Sequence, residues 1–233
     1  MKPNRLRRLL CLAATVSISA VAAGCAYAGT PQDDFFVAIK RDDASTLQTL
    51  LRRGVDPNAK DPHGEPGLNM AIKEPSPRAL QVLLAWPKTQ AENRNSQDES
   101  PLMLAAIKGQ LDVVKALIAK DADVNKTGWA PLHYAVSAGG PQQLDIVRAL
   151  LDASAYIDAE SPNKTTPLMM AAKYGSEKAV KLLFDEGADP TLRNQLGLSA
   201  ADFAKQAGRA ELAQQLEAAA ARRGQTEAAK KAW

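Results

Sequence analysis

Beyond its first 28 residues the chain has no cysteine: Cys11 and Cys25 are the two it contains, and both lie near the start. That removes disulfides and thiolate metal sites from any account of the remainder. Histidine is nearly as scarce, with only His63 and His133. Neither has partners at metal-ligand spacing, so no metal site is expected. Aromatic residues make up 5% of the chain. No serine stands in a nucleophile-elbow context and no glycine run has the spacing that cradles phosphate, so neither an enzyme nor a cofactor is indicated. Excess charge is missing too. The chain carries +3, but residues 1–28 hold four basic and no acidic side chains, which leaves −1 for the rest. Nucleic-acid binding needs clustered cations to displace counterions, and none remain.

The opening segment, "MKPNRLRRLLCLAATVSISAVAAGCAYAGT", has the three parts of a secretory signal: a basic start, an apolar run and a small-residue cleavage region. The apolar run is too short and alanine-rich for a comfortable membrane span, so the mature chain is expected to have none. "AYA" places cleavage between Ala28 and Gly29, which predicts a soluble periplasmic protein. "VAAGC" resembles a bacterial lipobox, although Ala22 stands where that pattern prefers leucine. Acylation of Cys25, with anchoring in the outer membrane, is the alternative.

What fills the rest is repetition. In "TPLMMAAKYGSEKAVKLLFDEGADP" (residues 166–190), Thr166 can cap a helix and Pro167 suits its first position. Leu168, Ala171 and Ala172 form a narrow apolar stripe. Gly175 ends the helix and is expected in the left-handed conformation. A second helix follows, with Val180, Leu183 and Phe184 on one face, and Gly187 closes it. Related stretches recur as "SPLMLAAIKGQLDVVKALIAKDADVN", "APLHYAVSAGGPQQLDIVRALLDASAYID", "GLNMAIKEPSPRALQVLLAW", "FFVAIKRDDASTLQTLLRRGVDPN" and "GLSAADFAKQAGRAELAQQL". Their first buried positions, Phe35, Leu68, Leu102, Leu132, Leu168 and Ala201, are separated by 33, 34, 30, 36 and 33 residues.

"TPLMMAA", "SPLMLAA" and "APLHYAV", with the turns "EGADP", "KDADVN" and "RGVDPN", resemble the ankyrin repeat in motif and in period. The resemblance implies an all-α, ankyrin-type helical repeat solenoid with short β-hairpin or turn connections. About six units would fill residues 29–217, the outer two acting as caps. Residues 218–233, without an aliphatic anchor, are expected to extend the last helix and fray into a mobile tail. The resemblance also implies that His133 hydrogen-bonds neighbouring turns. Three departures stand out. The second copy carries Pro75 and Pro77 between its helices and lacks a closing glycine turn. The fourth has three extra residues in "GGPQQLD", read as a longer interhelical turn. The hairpin before it, "NKTGWAP", is about three residues short against the repeat's period.

Such stacks bind partners along a groove of hairpin tips and first-helix faces. Trp129, in the shortened hairpin, is the first candidate contact, because tryptophan joins a large apolar face to one donor. Folding back over the short turn is the competing reading. Tyr174, just before Gly175, is the second candidate, with packing as its alternative. Ile107 is read as core, Trp86 as a plug after the second repeat, and His63 as an exposed turn tip. Asp121 and Asp123 are read as turn formers. The "KRDD" run (residues 40–43) reads as a solvated face. The expected function is a non-enzymatic, monomeric protein-binding scaffold of the bacterial cell envelope. Its alternatives are a toxin-neutralising or enzyme-protecting periplasmic protein, or a lipoprotein acylated at Cys25.

Overall fold

The computed structural model describes residues 29–231. Cys25 and Ala28 lie outside them, and Gly29 is the first residue inside. Twelve helices follow in pairs. The first member of each pair is α1 (Pro31–Lys40), α3 (Gly67–Lys73), α5 (Pro101–Ile107), α7 (Pro131–Ser137), α9 (Pro167–Tyr174) or α11 (Ala200–Gln206). The second is α2 (Ala44–Arg52), α4 (Pro77–Ala85), α6 (Leu111–Ile118), α8 (Gln143–Asp152), α10 (Glu177–Asp185) or α12 (Ala210–Lys231). First helices stack on first helices through the whole series, from α1 on α3 to α9 on α11. Second helices form an outer layer, with α2 on α4, α6 on α8 and α8 on α10. Among the described residues there is no strand; one isolated antiparallel bridge joins Lys60 to Pro66.

Four of the six first helices, α1, α5, α9 and α11, are started by the same local device, α7 has half of it, and α3 starts at Pro66 without a side-chain cap. Thr30, Ser100, Thr166 and Ser199 accept from the backbone N–H three residues on. The side chain at that third position answers by accepting from the N-cap N–H. Asp33 and Asp202 do so with a carboxylate, Met103 and Met169 with sulfur, and His133 with Nδ1. Two otherwise orphaned donors are thereby satisfied at the starts of α1, α5, α9 and α11, and one at the start of α7. Leucines in register fill the core: Leu68, Leu102, Leu132 and Leu168 on first helices, and Leu47, Leu83, Leu117, Leu150, Leu183 and Leu216 on second helices. Leu216 is only 1% exposed. The terminal repeat therefore buries its leucine as completely as the central ones.

Neighbouring repeats are also tied through their turns. Asn58 accepts from Gln90 N–H, Glu92 from Asp123 N–H, Asn125 from Tyr156 N–H and Asp158 from Asp189 N–H, over 2.7–3.2 Å. One polar bridge per repeat runs along the stack in this way.

Several local expectations are corrected here. Gly175 is not left-handed: its φ is −82° and its ψ 174°. Its lack of a side chain matters for space instead. A Cβ there would stand 2.5 Å from the carbonyl oxygen of Val136 on the neighbouring helix. Gly187 is left-handed, with φ +98°. In the "KRDD" run Lys40 and Arg41 are exposed, as read from the sequence, whereas Asp42 and Asp43 are committed to backbone N–H groups. Asp43 caps α2 by accepting from Thr46 N–H. Asp42 reaches the next repeat, accepting from Ala79 N–H at 2.8 Å and Arg78 Nε at 3.0 Å. Partial desolvation pushes the Asp42 carboxyl up, but these bonds outweigh it and hold the pKa below the usual range.

The extra residues of the fourth repeat do form a longer turn, residues 138–142 between α7 and α8. Gln143 makes it possible. Its buried amide donates to the carbonyls of Val136, at 2.9 Å, and Ala138, which α7 leaves unpaired at its end. At the far end, α12 is continuous helix to Lys231, so the helix extension expected over residues 218–233 runs through nearly all of them. Its anchor is polar: Arg223 donates to the carbonyl of Gly187 at 3.2 Å and faces Asp189 at 3.6 Å.

Candidate functional site

The shortened hairpin exposes the feature on which a site can be built. α5, α7 and α9 lie side by side, and their surface is uncovered where the hairpin before α7 stops short. A cleft of about 270 Å³ opens there, lined by Ile107, Trp129, His133, Tyr134, Ser137 and Met170. Tyr134 and Ser137 stand one turn apart on α7, which puts both on one face. Gly128, with φ +82°, turns the chain so that Trp129 closes one wall. The indole meets the His133 ring edge-on, with centroids 5.3 Å apart at 77°. That geometry matches the preferred packing of two aromatic quadrupoles.

His133 is fixed from both sides. Its Nδ1 accepts from Ala130 N–H at 3.1 Å, so the proton belongs on Nε2, which donates to Thr165 O at 2.9 Å. Burial pushes its pKa below the ordinary value of 6.5, against the raising effect of its backbone bonds. The ring is a neutral structural bridge to the next hairpin, as the resemblance implies. Tyr134 is half-buried; desolvation first, then the charges of Glu99 and Asp98, push its pKa up.

The structure does not bring the two candidate contacts together. Trp129 is partly buried in this cleft. Tyr174 is 58% exposed and borders a different one, beside Gly139, Gly140 and Lys178. Lys173 Nζ lies 5.3 Å from the Tyr174 ring centroid. Ile107, expected in the core, is 37% exposed. It ends α5, and it faces the cleft it shares with Tyr134 rather than a neighbouring helix. Tyr134 and Met170 were not anticipated at all. Their counterpart in the third repeat, Leu104, is buried, whereas Tyr134 and Met170 are partly buried and line the cleft. Trp86 is partly buried against the core, and its carbonyl accepts from Lys120 Nζ at 3.4 Å in the junction after the second repeat. His63 is exposed at a turn. Asp121 is left-handed, with φ 59°, and Asp123 accepts from Asn125 N–H at 2.9 Å, so both act as turn formers. Among the described residues no cluster of His, Asp or Glu is arranged to hold a metal ion, and no helix is long and apolar enough to cross a membrane.

The model for "Ankyrin repeats (3 copies)" matches residues 35–127, 68–161 and 132–219, which together take in nearly every described helix. The chain belongs to the ankyrin-repeat family. Similar ankyrin-repeat proteins include the nuclear factor NF-kappa-B p105 subunit of Gallus gallus, 31% identical over 70% of this chain and 17% of the relative. The B-cell lymphoma 3 protein homolog of Mus musculus is 30% identical over 64% of the chain and 34% of its own length. The transient receptor potential cation channel subfamily A member 1 of Homo sapiens is 23% identical over 70% of the chain and 15% of its length. The chain thus spans about a third or less of each of these relatives. What they share with it is the repeat array, and ankyrin repeats are generally scaffolds for protein–protein interaction.

Proposed function

We propose that this ankyrin array is a non-enzymatic protein-binding scaffold of the bacterial cell envelope, with the Trp129 cleft as its central contact. One observation carries the reading. A regular array buries its large apolar residues, yet here Ile107, Trp129, Tyr134 and Met170 line an open cleft where a hairpin is cut short. Folding alone does not call for that arrangement. Aromatic anchors in such pockets are where binding energy concentrates. The "AYA" site supports export. The lipobox-like "VAAGC" keeps acylation of Cys25 as the second form of the same envelope reading.

The test joins two measurements. Mass spectrometry of the protein from producing cells should find Gly29 as its first residue; an acylated Cys25 would select the anchored form, and Met1 retained in the cytoplasm would refute export. Capture from envelope extract should yield a partner whose recovery depends on Trp129. Neutralisation of a toxin or protection of an enzyme would then show as loss or preservation of that partner's activity on binding.

A further inference from the structure

The polar bridges between repeats are of two kinds. Asn58 and Asn125 use both ends of an amide. The oxygen accepts an N–H of the next turn, from Gln90 or Tyr156. The nitrogen donates to the carbonyl two residues earlier, Lys88 O at 2.8 Å or Ser154 O at 2.9 Å. Glu92 and Asp158 are carboxylates, which when ionised can only accept. Their N–H donors are Asp123 and Asp189, so each of these two bridges joins a pair of acidic residues. An arginine accompanies both. Arg94, two residues from Glu92, pairs with it at 2.7 Å and lies 3.7 Å from Asp123, reaching Asp98 as well. Arg223 comes instead from α12, 3.6 Å from Asp189, and donates to Gly187 O at 3.2 Å. Gly187 precedes the donating N–H by two residues, as Lys88 and Ser154 do in the amide bridges. Arg223 thus brings the hydrogen that Asp158 lacks.

The length of α12 serves this contact. It has 22 residues, where α1 has 10 and α3 has 7. Arg223 stands seven residues after the buried Leu216, so the face that packs leucine carries the guanidinium two turns further on. Burial first, then the Asp189 charge, pushes the Asp158 carboxyl up, against the bond from Asp189 N–H and the charge of Arg223. We infer that Arg223 is a latch: residues 218–231 are held to the stack by the acidic bridge of Asp158 and Asp189, and open independently of the repeats when that charge is removed or screened.

Hydrogen exchange of the full chain, read by mass spectrometry, tests this. Arg223→Gln should speed exchange over residues 218–231 at least about three-fold while α8 and α9 keep their rates. Arg222→Gln removes the same charge one position earlier, from a guanidinium that donates within its own helix to Ala218 O, and should leave those rates nearly unchanged. With Asp158→Asn and Asp189→Asn combined, the extension should already exchange faster. Adding Arg223→Gln to that pair should then have less than about half its effect on the unaltered chain. If the pair folds poorly, a salt series decides. Raising salt from about 50 mM to about 500 mM should speed exchange over 218–231 in the unaltered chain and not in Arg223→Gln. Unchanged exchange in Arg223→Gln, an equal effect once the bridge is neutralised, the same salt response in both chains, or faster exchange spread through the whole stack would overturn the inference.

Discussion

His133 shows how much a single side chain can be asked to do. It caps its own helix, ties α7 to the next hairpin and supports the indole that walls the cleft. The cap needs the neutral ring, because there Nδ1 must accept. Its folded pKa lies below 6.5, so the unfolded chain binds the extra proton first as pH falls. The stability it contributes is complete above about pH 6.5 and is lost progressively as pH falls below that value. Urea midpoints should therefore decline between about pH 6.5 and pH 5, and His133→Gln should flatten that decline while lowering stability at pH 7.5. A variant with an unchanged slope would place the titrating group elsewhere.

At the scale of the element, most of the fold was legible because helix starts are written in local chemistry. Thr166-Pro167 and Ser100-Pro101 announce a cap and a first turn, and the leucine register follows from period. What escaped the sequence depends on contacts between repeats. Gly175 looks like any helix-ending glycine; its reason for being glycine is the Val136 carbonyl on α7, 39 residues away in sequence. Likewise Asp42 looks like surface charge until Ala79 is brought to it. The two glycines can be told apart. Gly187→Asn should cost at most about 1 kcal/mol, from the strain of a side chain at φ +98° alone, since nothing crowds a Cβ there. Gly175→Asn should cost on the order of 1–3 kcal/mol, the usual range for overpacking, because any Cβ meets backbone. Comparable melting temperatures for the two variants would contradict the steric account of Gly175. The cleft was legible only in part: Trp129 stood out as a break in the repeat, whereas Ile107, Tyr134 and Met170 occupy positions that read as core from the repeat pattern.

Across the whole molecule the array is a single stack whose stability is shared by neighbours. Leu117 is fully buried between repeats, so Leu117→Ala should cost about 2–5 kcal/mol in urea melts. From the repeat pattern alone, Leu216 would be a cheap terminal position. Its burial instead predicts that Leu216→Ala costs within that same range of about 2–5 kcal/mol. A loss well under 1 kcal/mol would show that the last repeat opens independently of the stack. The central claim is that the stack exists to present one irregular surface, and Trp129 tests it most directly. Trp129→Ala should leave the melting temperature nearly unchanged while weakening capture of the envelope partner by about 2 kcal/mol or more, roughly thirty-fold in Kd. A lowered melting temperature with capture by the folded fraction undiminished would contradict the account, showing that the indole serves only to cover its turn.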